Sequence, residues 1–210
     1  MTDPRAVQIL AAWFSPAYPI GAYSYSHGLE WAVESGDVAD PAALEAWTAD
    51  LLEFGAARTD AILLRHAHAA PDPVPLAELA AALAPSAERH LETTAQGAAF
   101  AKVTAAAWGL ALGPAPYPVA VGRAARLLDL PADLTVTLFL QAFAANTVSA
   151  GVRLVPIGQT DGQRIAARLL PLAARIAAET EAATLDDLGG CAALADLAAM
   201  RHETQGTRLY

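Results

Sequence analysis

The fold is decided by residues Leu134–Val152, which read LTVTLFLQAFAANTVSAGV and contain no Asp, Glu, Lys or Arg. As a helix this segment would extend about 28 Å, the width of a small domain. A membrane span needs about 20 mostly apolar residues. Here, however, polar side chains occur at Thr135, Thr137, Gln141, Asn146, Thr147 and Ser149. An uncharged helix dotted with small polar groups is typical of the centre of a helical domain. We therefore predict a buried central helix over about 132–154 and no membrane span.

The composition of the whole chain predicts an all-α fold. Of the 210 residues, 55% are hydrophobic and 17% are charged, alanine predominates, and no sustained alternation of apolar and polar residues appears. A chain of this length can bury one sizeable core. We therefore expect residues 1–210 to form a single-domain helical bundle of about eight to ten helices.

The charge and the cysteine content exclude several classes of function. The formal net charge is −9 and no run of Lys or Arg occurs, so a nucleic-acid-binding surface is not expected. The single cysteine, Cys191, excludes an internal disulfide and a four-cysteine zinc site. The segment Ala6–Phe14 is too short for a signal peptide and lacks a basic start. We expect a cytoplasmic location.

An aromatic loop interrupts the first helical segment. Residues Ser15–Ser26 contain two prolines and a glycine but keep Tyr18, Tyr23 and Tyr25. Such a loop either lies over the core or takes part in binding, and the sequence leaves both interpretations open.

A second unusual stretch, Gly158–Arg164, follows the central helix. Thr160 and Gln163 have the spacing of a capping box, which predicts a helix start at this point. The two glycines suggest close backbone approach. We expect the stretch to be ordered and partly buried against the end of the central helix, with Arg153 pairing to a carboxylate or to helix-end carbonyls. The side chains expected to bond to backbone groups are Gln159, Asp161 and Gln163.

The sequence contains no complete set of catalytic or metal-ligating groups. His27 and Glu30 can share a helix face, but two ligands do not make a buried metal site. The Gly158–Arg164 stretch lacks the Lys-Ser/Thr of a phosphate-binding loop, and no Gly-x-Ser-x-Gly motif occurs. The pattern favours a protein that acts by docking, without a cofactor. His27 and His202 are retained only as weak candidates for a metal at an interface.

The C-terminal residues form a further candidate interaction segment. His202–Tyr210 contains both charge signs, hydroxyl groups and one glycine, with little apolar surface of its own. We therefore expect a mobile tail over about 203–210 in the free protein. Arg and Tyr are residue types that anchor interfaces, so the tail is expected to become ordered on a partner.

Several segments resemble the UreF family of urease accessory proteins. In chain order they are SPAYPIGAYSYSHGLE over 15–30, Glu88–Gly97, Tyr117–Gly122, Ser149–Gln163 and His202–Leu209. The resemblance implies an all-α homodimer that is not an enzyme. It implies docking with an accessory protein of the UreD/UreH type, recruitment of the GTPase UreG and delivery of nickel to apo-urease, with modulation of GTP hydrolysis. The residues expected to bind partners are Tyr23, Ser24, His27, Glu30, Gln159, Asp161, Gln163, His202, Glu203, Arg208 and Leu209.

Two alternatives remain open at the level of the sequence. The chain could be an α-helical enzyme or ligand-binding protein with a pocket between the Tyr23 and Gly158 loops. It could also carry nickel itself through His27, Glu30 and His202. Co-purification with other urease accessory proteins distinguishes the first alternative from docking, and nickel binding by the isolated chain tests the second.

Overall fold

A computed structural model describes residues 3–209, which contain ten α-helices, two short 3₁₀ turns and no β-strand. The α-helices are α1 (Pro4–Trp13), α2 (Leu29–Glu34), α3 (Pro41–Glu53), α4 (Ala56–Ala69), α5 (Val74–Ala82), α6 (Ala87–Trp108), α7 (Tyr117–Leu127), α8 (Ala132–Leu154), α9 (Gln159–Glu179) and α10 (Ala193–His202). The 3₁₀ turns are Ala22–Ser24 and Leu185–Asp187. The predicted all-α class and the predicted number of helices are confirmed.

The central helix occurs where the uncharged segment predicts it. Helix α8 contacts α1, α2, α3, α4, α7 and α9, and its inward side chains include Val136, Phe139 and Leu140 in the main apolar core. By length and composition α8 could cross a membrane, but half of its most apolar 18-residue stretch is buried against the rest of the protein. A core helix passes the same test, so this is weak evidence for a span.

Local signals in the sequence fix the starts of two helices that frame the interior. Asp40 precedes α3 and its carboxylate accepts a hydrogen bond from the Ala43 amide at 2.9 Å, with Pro41 at the first helical position. Ser86 precedes α6 and accepts from the Arg89 amide at 3.1 Å. These caps satisfy amides that have no partner inside the helix.

The predicted capping box after α8 is wrong. Helix α9 begins at Gln159 with Gly158 as its cap, and no side chain bonds to the backbone there. Thr160 and Gln163 therefore lie inside the first turns of the helix, where both are exposed. The expected burial is confirmed for Gly162, which packs against the end of α8 and leaves no room for a side chain: a Cβ would lie 2.6 Å from Val152 Cγ2.

Candidate functional site

The aromatic loop Ser15–Ser26 is divided between the core and the surface. The Tyr18 ring packs against Phe100 with centroids 5.7 Å apart. The Tyr23 side chain is 69% exposed, and the Tyr23 carbonyl accepts a hydrogen bond from Arg153 Nη2 at 3.3 Å. Both interpretations of the loop therefore apply, to different tyrosines. The expected pairing of Arg153 with carbonyl groups is observed, and it holds Tyr23 at the surface.

Two consecutive residues with positive φ end this loop. His27 (φ 52°) and Gly28 (φ 74°) adopt the left-handed conformation just before α2. The His27 ring stacks on Phe143, with centroids 4.6 Å apart, and its Nε2 lies 3.4 Å from Glu92 Oε1. A Cβ on Gly28 would lie 2.6 Å from the backbone nitrogen of Ala199. Glycine at this position thus lets the loop touch the backbone of α10.

A network of charged side chains lies beneath the loop. The Arg89 guanidinium pairs with the Asp60 carboxylate and, at 3.3 Å, with Glu92 Oε2, and all three side chains are about nine-tenths buried. Burial raises the pKa of Asp60 to about 6, although Arg89 opposes this shift. Burial lowers the pKa of His27 below its usual 6.5 despite the nearby Glu92. His27 is therefore neutral and Asp60 is ionised at neutral pH.

The end of α10 is bonded to both α2 and α6. His202 is 3% exposed, with Nδ1 2.8 Å from both carboxylate oxygens of Glu88 and Nε2 3.1 Å from Glu30 Oε2. Both ring nitrogens are thus engaged by carboxylates from distant parts of the sequence. The spacing of His27 and Glu30 suggested a shared face, but the histidine that reaches Glu30 is His202.

The residues after α10, Glu203–Leu209, form what we call the C-terminal strap. The strap returns across α2 and the start of α6 through four bonds: Ala87 N to Glu203 Oε1 at 2.8 Å, Gln205 Nε2 to Glu34, Arg208 Nη1 to Glu88 Oε1 at 3.0 Å, and Leu209 N to Glu30 Oε1 at 2.5 Å. Gln205 is buried. The expected mobility over 203–210 stays a prediction, and Tyr210 lies outside the described residues.

A cavity of about 190 Å³ lies between the loop, the start of α6 and α10. Its polar lining includes Ser24, His27, Arg89, Glu92, Asp196 and Arg208. A second cavity of about 40 Å³ lies on the far side of the same wall and shares Tyr25, His27, Arg89 and Glu92. Within residues 3–209 the Asp196 carboxylate makes no hydrogen bond or ion pair, and burial raises its pKa. The lining of the first cavity thus combines apolar residues, such as Leu51 and Ala199, with acidic and basic groups.

The outer face of α10 is apolar and exposed. Leu194, Leu197 and Met200 follow one another at three-residue spacing and point away from the buried Ala195 and Ala198. Most surface helices place polar residues on this side, so an apolar outer face marks an interaction surface. Leu91 of α6 and Leu209 of the strap are also exposed. Sequence reasoning missed this face, although the spacing of its three members was readable.

The Gly158 region lies beside a different cavity. Gln159, Gly162 and Gln163 line a groove of about 290 Å³ between α8 and α9, whereas Ser24 lines the cavity beside α10. The Asp161 carboxylate accepts from Arg164 Nη1 at 2.8 Å rather than from the backbone. The prediction of a backbone bond for Asp161 is therefore wrong, because the helix begins before it.

Of the eleven predicted partner-binding residues, seven come together around α10: Ser24, His27, Glu30, His202, Glu203, Arg208 and Leu209. Gln159 and Gln163 line the groove between α8 and α9, Asp161 pairs with Arg164 on the same helix, and Tyr23 lies on the surface next to Arg153 of α8. The acids Asp60, Glu88 and Glu92 were not predicted as site residues. A buried carboxylate on a helix has no signal of its own in a single sequence.

Residues 3–209 contain no group of three or more His, Cys, Asp or Glu side chains arranged to hold a metal ion. A metal bound at His202 would have to replace Glu30 or Glu88 as the partner of a ring nitrogen. Because both ring nitrogens of His202 already bond to carboxylates, this arrangement is a structural contact rather than an open coordination site.

Comparison with known proteins identifies the family. The UreF family model matches residues 38–170. A protein named urease accessory protein UreF from Cereibacter sphaeroides (strain KD131) is 57% identical over 205 residues, covering 98% of both chains. Proteins of the same name from Methylobacterium sp. (strain 4-46) and Ruegeria pomeroyi are 52% and 47% identical, covering 96% and 100% of this chain and 87% and 99% of their own. The chain belongs to the UreF family of urease accessory proteins.

Proposed function

We propose that this protein is a cytoplasmic nickel-insertion chaperone that acts by docking and is not itself an enzyme. In this proposal it binds an accessory protein of the UreD/UreH type, recruits the GTPase UreG and helps to deliver nickel to apo-urease, modulating GTP hydrolysis on the way. The observation that carries the docking part is the exposed apolar face of α10, which adjoins the C-terminal strap.

The UreD/UreH-type partner is assigned to the surface formed by α10, the strap and Tyr23. Leu194, Leu197 and Met200 supply apolar area that packing inside this chain leaves uncovered. Tyr23 and Arg208 are exposed residue types that anchor interfaces. The cavity of about 190 Å³ beside Arg208 carries Glu88 and Asp196, which can pair with a basic side chain of the partner.

A second copy of the chain is assigned to the groove between α8 and α9. Five alanines and Gly162 line the groove, together with the exposed amides of Gln141, Gln159 and Gln163. Small side chains allow another helix to approach closely, and exposed amides can bond across a twofold interface. The exposed Leu170 lies in the same groove. The two assigned surfaces use different helices, so both partners can bind at once.

The net charge of −9 favours association with partners that present basic surfaces, because complementary charge accelerates encounter and disfavours wrong partners. This supports UreG or apo-urease as a further partner but does not locate its contact. The charge also argues against nucleic acid as a partner.

The test is a pull-down of the UreD/UreH-type protein with Leu197→Asn. We expect capture to fall at least about tenfold, as for loss of a central apolar anchor, with the melting temperature unchanged because Leu197 is exposed. Val74→Asn is the matched control, since Val74 is equally exposed on α5. Parental capture by Leu197→Asn would exclude the α10 face as the docking site. If the chain is instead an enzyme, its catalytic activity should not require the UreD/UreH-type protein, UreG or apo-urease.

A further inference from the structure

Glu30 connects the three segments that meet at the α10 surface. Its carboxylate accepts from His202 Nε2 at 3.1 Å and from the Leu209 amide at 2.5 Å. Glu30 is also the second residue of α2, which starts directly after the left-handed pair His27 and Gly28. The position of this one carboxylate therefore depends on the aromatic loop, on α10 and on the C-terminal strap.

The contacts form a closed ring. The loop touches α10 through Gly28 and Ala199. Helix α10 ends at His202, and His202 bonds back to Glu30, two residues after Gly28. A ring of short contacts between the same elements cannot open at one point without loosening the others. The strap closes a second ring, because Leu209 bonds to Glu30 while Arg208 bonds to Glu88.

Because Glu30 and His202 are buried, losing the contacts between them should destabilise the protein. Glu30 is 7% exposed and His202 is 3% exposed, so a carboxylate that loses its donors here is not rehydrated without movement of its surroundings. Removing one donor from a buried charged group costs more than removing it from an exposed group, because water does not readily replace it. Release of the strap should therefore destabilise the packing of α2 and of the loop that precedes it.

We propose that Glu30 is a positioning residue that couples the C-terminal strap to the aromatic loop. In consequence the strap and the 3₁₀ turn Ala22–Ser24 are stabilised together, so that an increase in the mobility of one increases the mobility of the other. The coupling itself is a property of the isolated chain. Its importance for docking rests on the proposed function.

The experiment measures amide hydrogen exchange of the full chain at Ser24 and Leu29. These amides donate to Gly21 O and Ser26 O, both at 3.0 Å, so neither of them is a donor to the strap. The variant is Leu209→Pro, which removes the amide that donates to Glu30. Leu209→Ala is the matched control, because it shortens the side chain but keeps that amide.

We expect Leu209→Pro to raise exchange at Ser24 and Leu29 by about fivefold, the factor for losing one hydrogen bond, and Leu209→Ala to leave it at the parental rate. His202→Gln should raise it further, since the Gln amide carries both N–H donors on one nitrogen and does not reproduce the two separate ring nitrogens that face Glu30 and Glu88. Faster exchange confined to the strap in both Leu209→Pro and His202→Gln would overturn the coupling. If His202→Gln fails to fold, Leu209→Pro decides alone, because Leu209 lies on the surface.

Pull-down of the UreD/UreH-type protein then separates the coupling from the proposed function. Lower capture by Leu209→Pro than by Leu209→Ala, together with faster loop exchange, supports both. Faster loop exchange with parental capture retains the coupling and removes this surface from the docking proposal.

Discussion

Arg89 and Asp60 form an ion pair in the interior, each with about one-tenth of its side chain exposed. Glu92 adds a second carboxylate to the same guanidinium at 3.3 Å. Burial opposes the charge on Arg89, but the two carboxylates outweigh it and raise its pKa. The pair joins α4 to α6 directly beneath the aromatic loop. The stability of the candidate docking surface therefore depends on charges that are about nine-tenths buried.

Removing one partner of this pair should be costly. Arg89→Met leaves Asp60 and Glu92 buried without their shared cation, and breaking a buried pair costs about 3 kcal/mol. Urea denaturation should show that loss in the free energy of unfolding. Asp133→Asn is the control: Asp133 also pairs with an arginine, Arg65, at 2.5 Å, but its side chain is 72% exposed, so its loss should cost less than about 1 kcal/mol. Equal costs for the two variants would contradict this account.

His27 should make stability depend on pH. Burial lowers the pKa of its ring, so the folded state keeps His27 neutral while the unfolded chain binds a proton below about 6.5. Its contribution is full above that pH and is lost as the pH falls towards the lowered value. His27→Asn, which tolerates a positive φ, should therefore lose less stability than the parent between pH 7 and pH 5.

The titration of Asp60 changes stability with pH in the opposite direction, and Asp60 is present in both the parent and His27→Asn. Its raised pKa of about 6 means that its contribution is greatest below its ordinary value of 3.8 and falls as the pH rises through 6. Its contribution therefore cancels when the pH–stability curve of His27→Asn is subtracted from that of the parent. His90→Asn, on the exposed side of α6, is the control and should follow the parental pH curve.

Gly162→Val should damage the fold before it affects any partner. The Cβ alone would lie 2.6 Å from Val152 Cγ2, and forcing extra atoms into a packed contact costs about 1–3 kcal/mol. Gly158→Ala is the comparison, because the atom nearest to its Cβ is Asp161 Oδ2 at 3.9 Å. A parental melting temperature for Gly162→Val with lost partner binding would show that the contact with α8 is not structural.

The length of the strap should separate docking from stability. A chain ended after Gly206 loses Arg208 and Leu209 but keeps His202, so we expect its melting temperature to fall by only about 2–4 °C, the effect of about 1 kcal/mol, with reduced capture of the UreD/UreH-type protein. A chain ended after Arg201 also removes His202, which leaves Glu30 and Glu88 without that donor. It should melt at a lower temperature. Full capture by the shorter chain would make the strap dispensable.

The isolated chain should bind no stoichiometric nickel in equilibrium dialysis. A tight site needs three or four ligands at workable spacing, and the described residues offer no such group. His202→Gln serves as the comparison, since His202 is the histidine closest to two carboxylates. Nickel retained by the parent through extensive washing and lost in this variant would favour the nickel-carrier alternative.

The sequence by itself determined the features that follow from local patterns. An uncharged run of helical length can only be stable if other helices cover it, and α8 (Ala132–Leu154) occurs where that run predicts it. Asp40 followed by Pro41 fixed the start of α3 in the same way. The capping box at Thr160 failed because an amide can be left to solvent at an exposed helix start, so the pattern was not required there.

The candidate site, in contrast, was decided by tertiary structure. His202 reaches Glu30 across 172 positions and Glu88 across 114, and such long-range pairs leave no periodic trace in one sequence. The apolar outer face of α10 is a surface only because Ala195 and Ala198 of the same helix turn inward against α2 and α6. Short-range propensity fixes where helices begin and end. Which of their faces remain uncovered depends on how all of them pack, and that is settled only when the core is assembled.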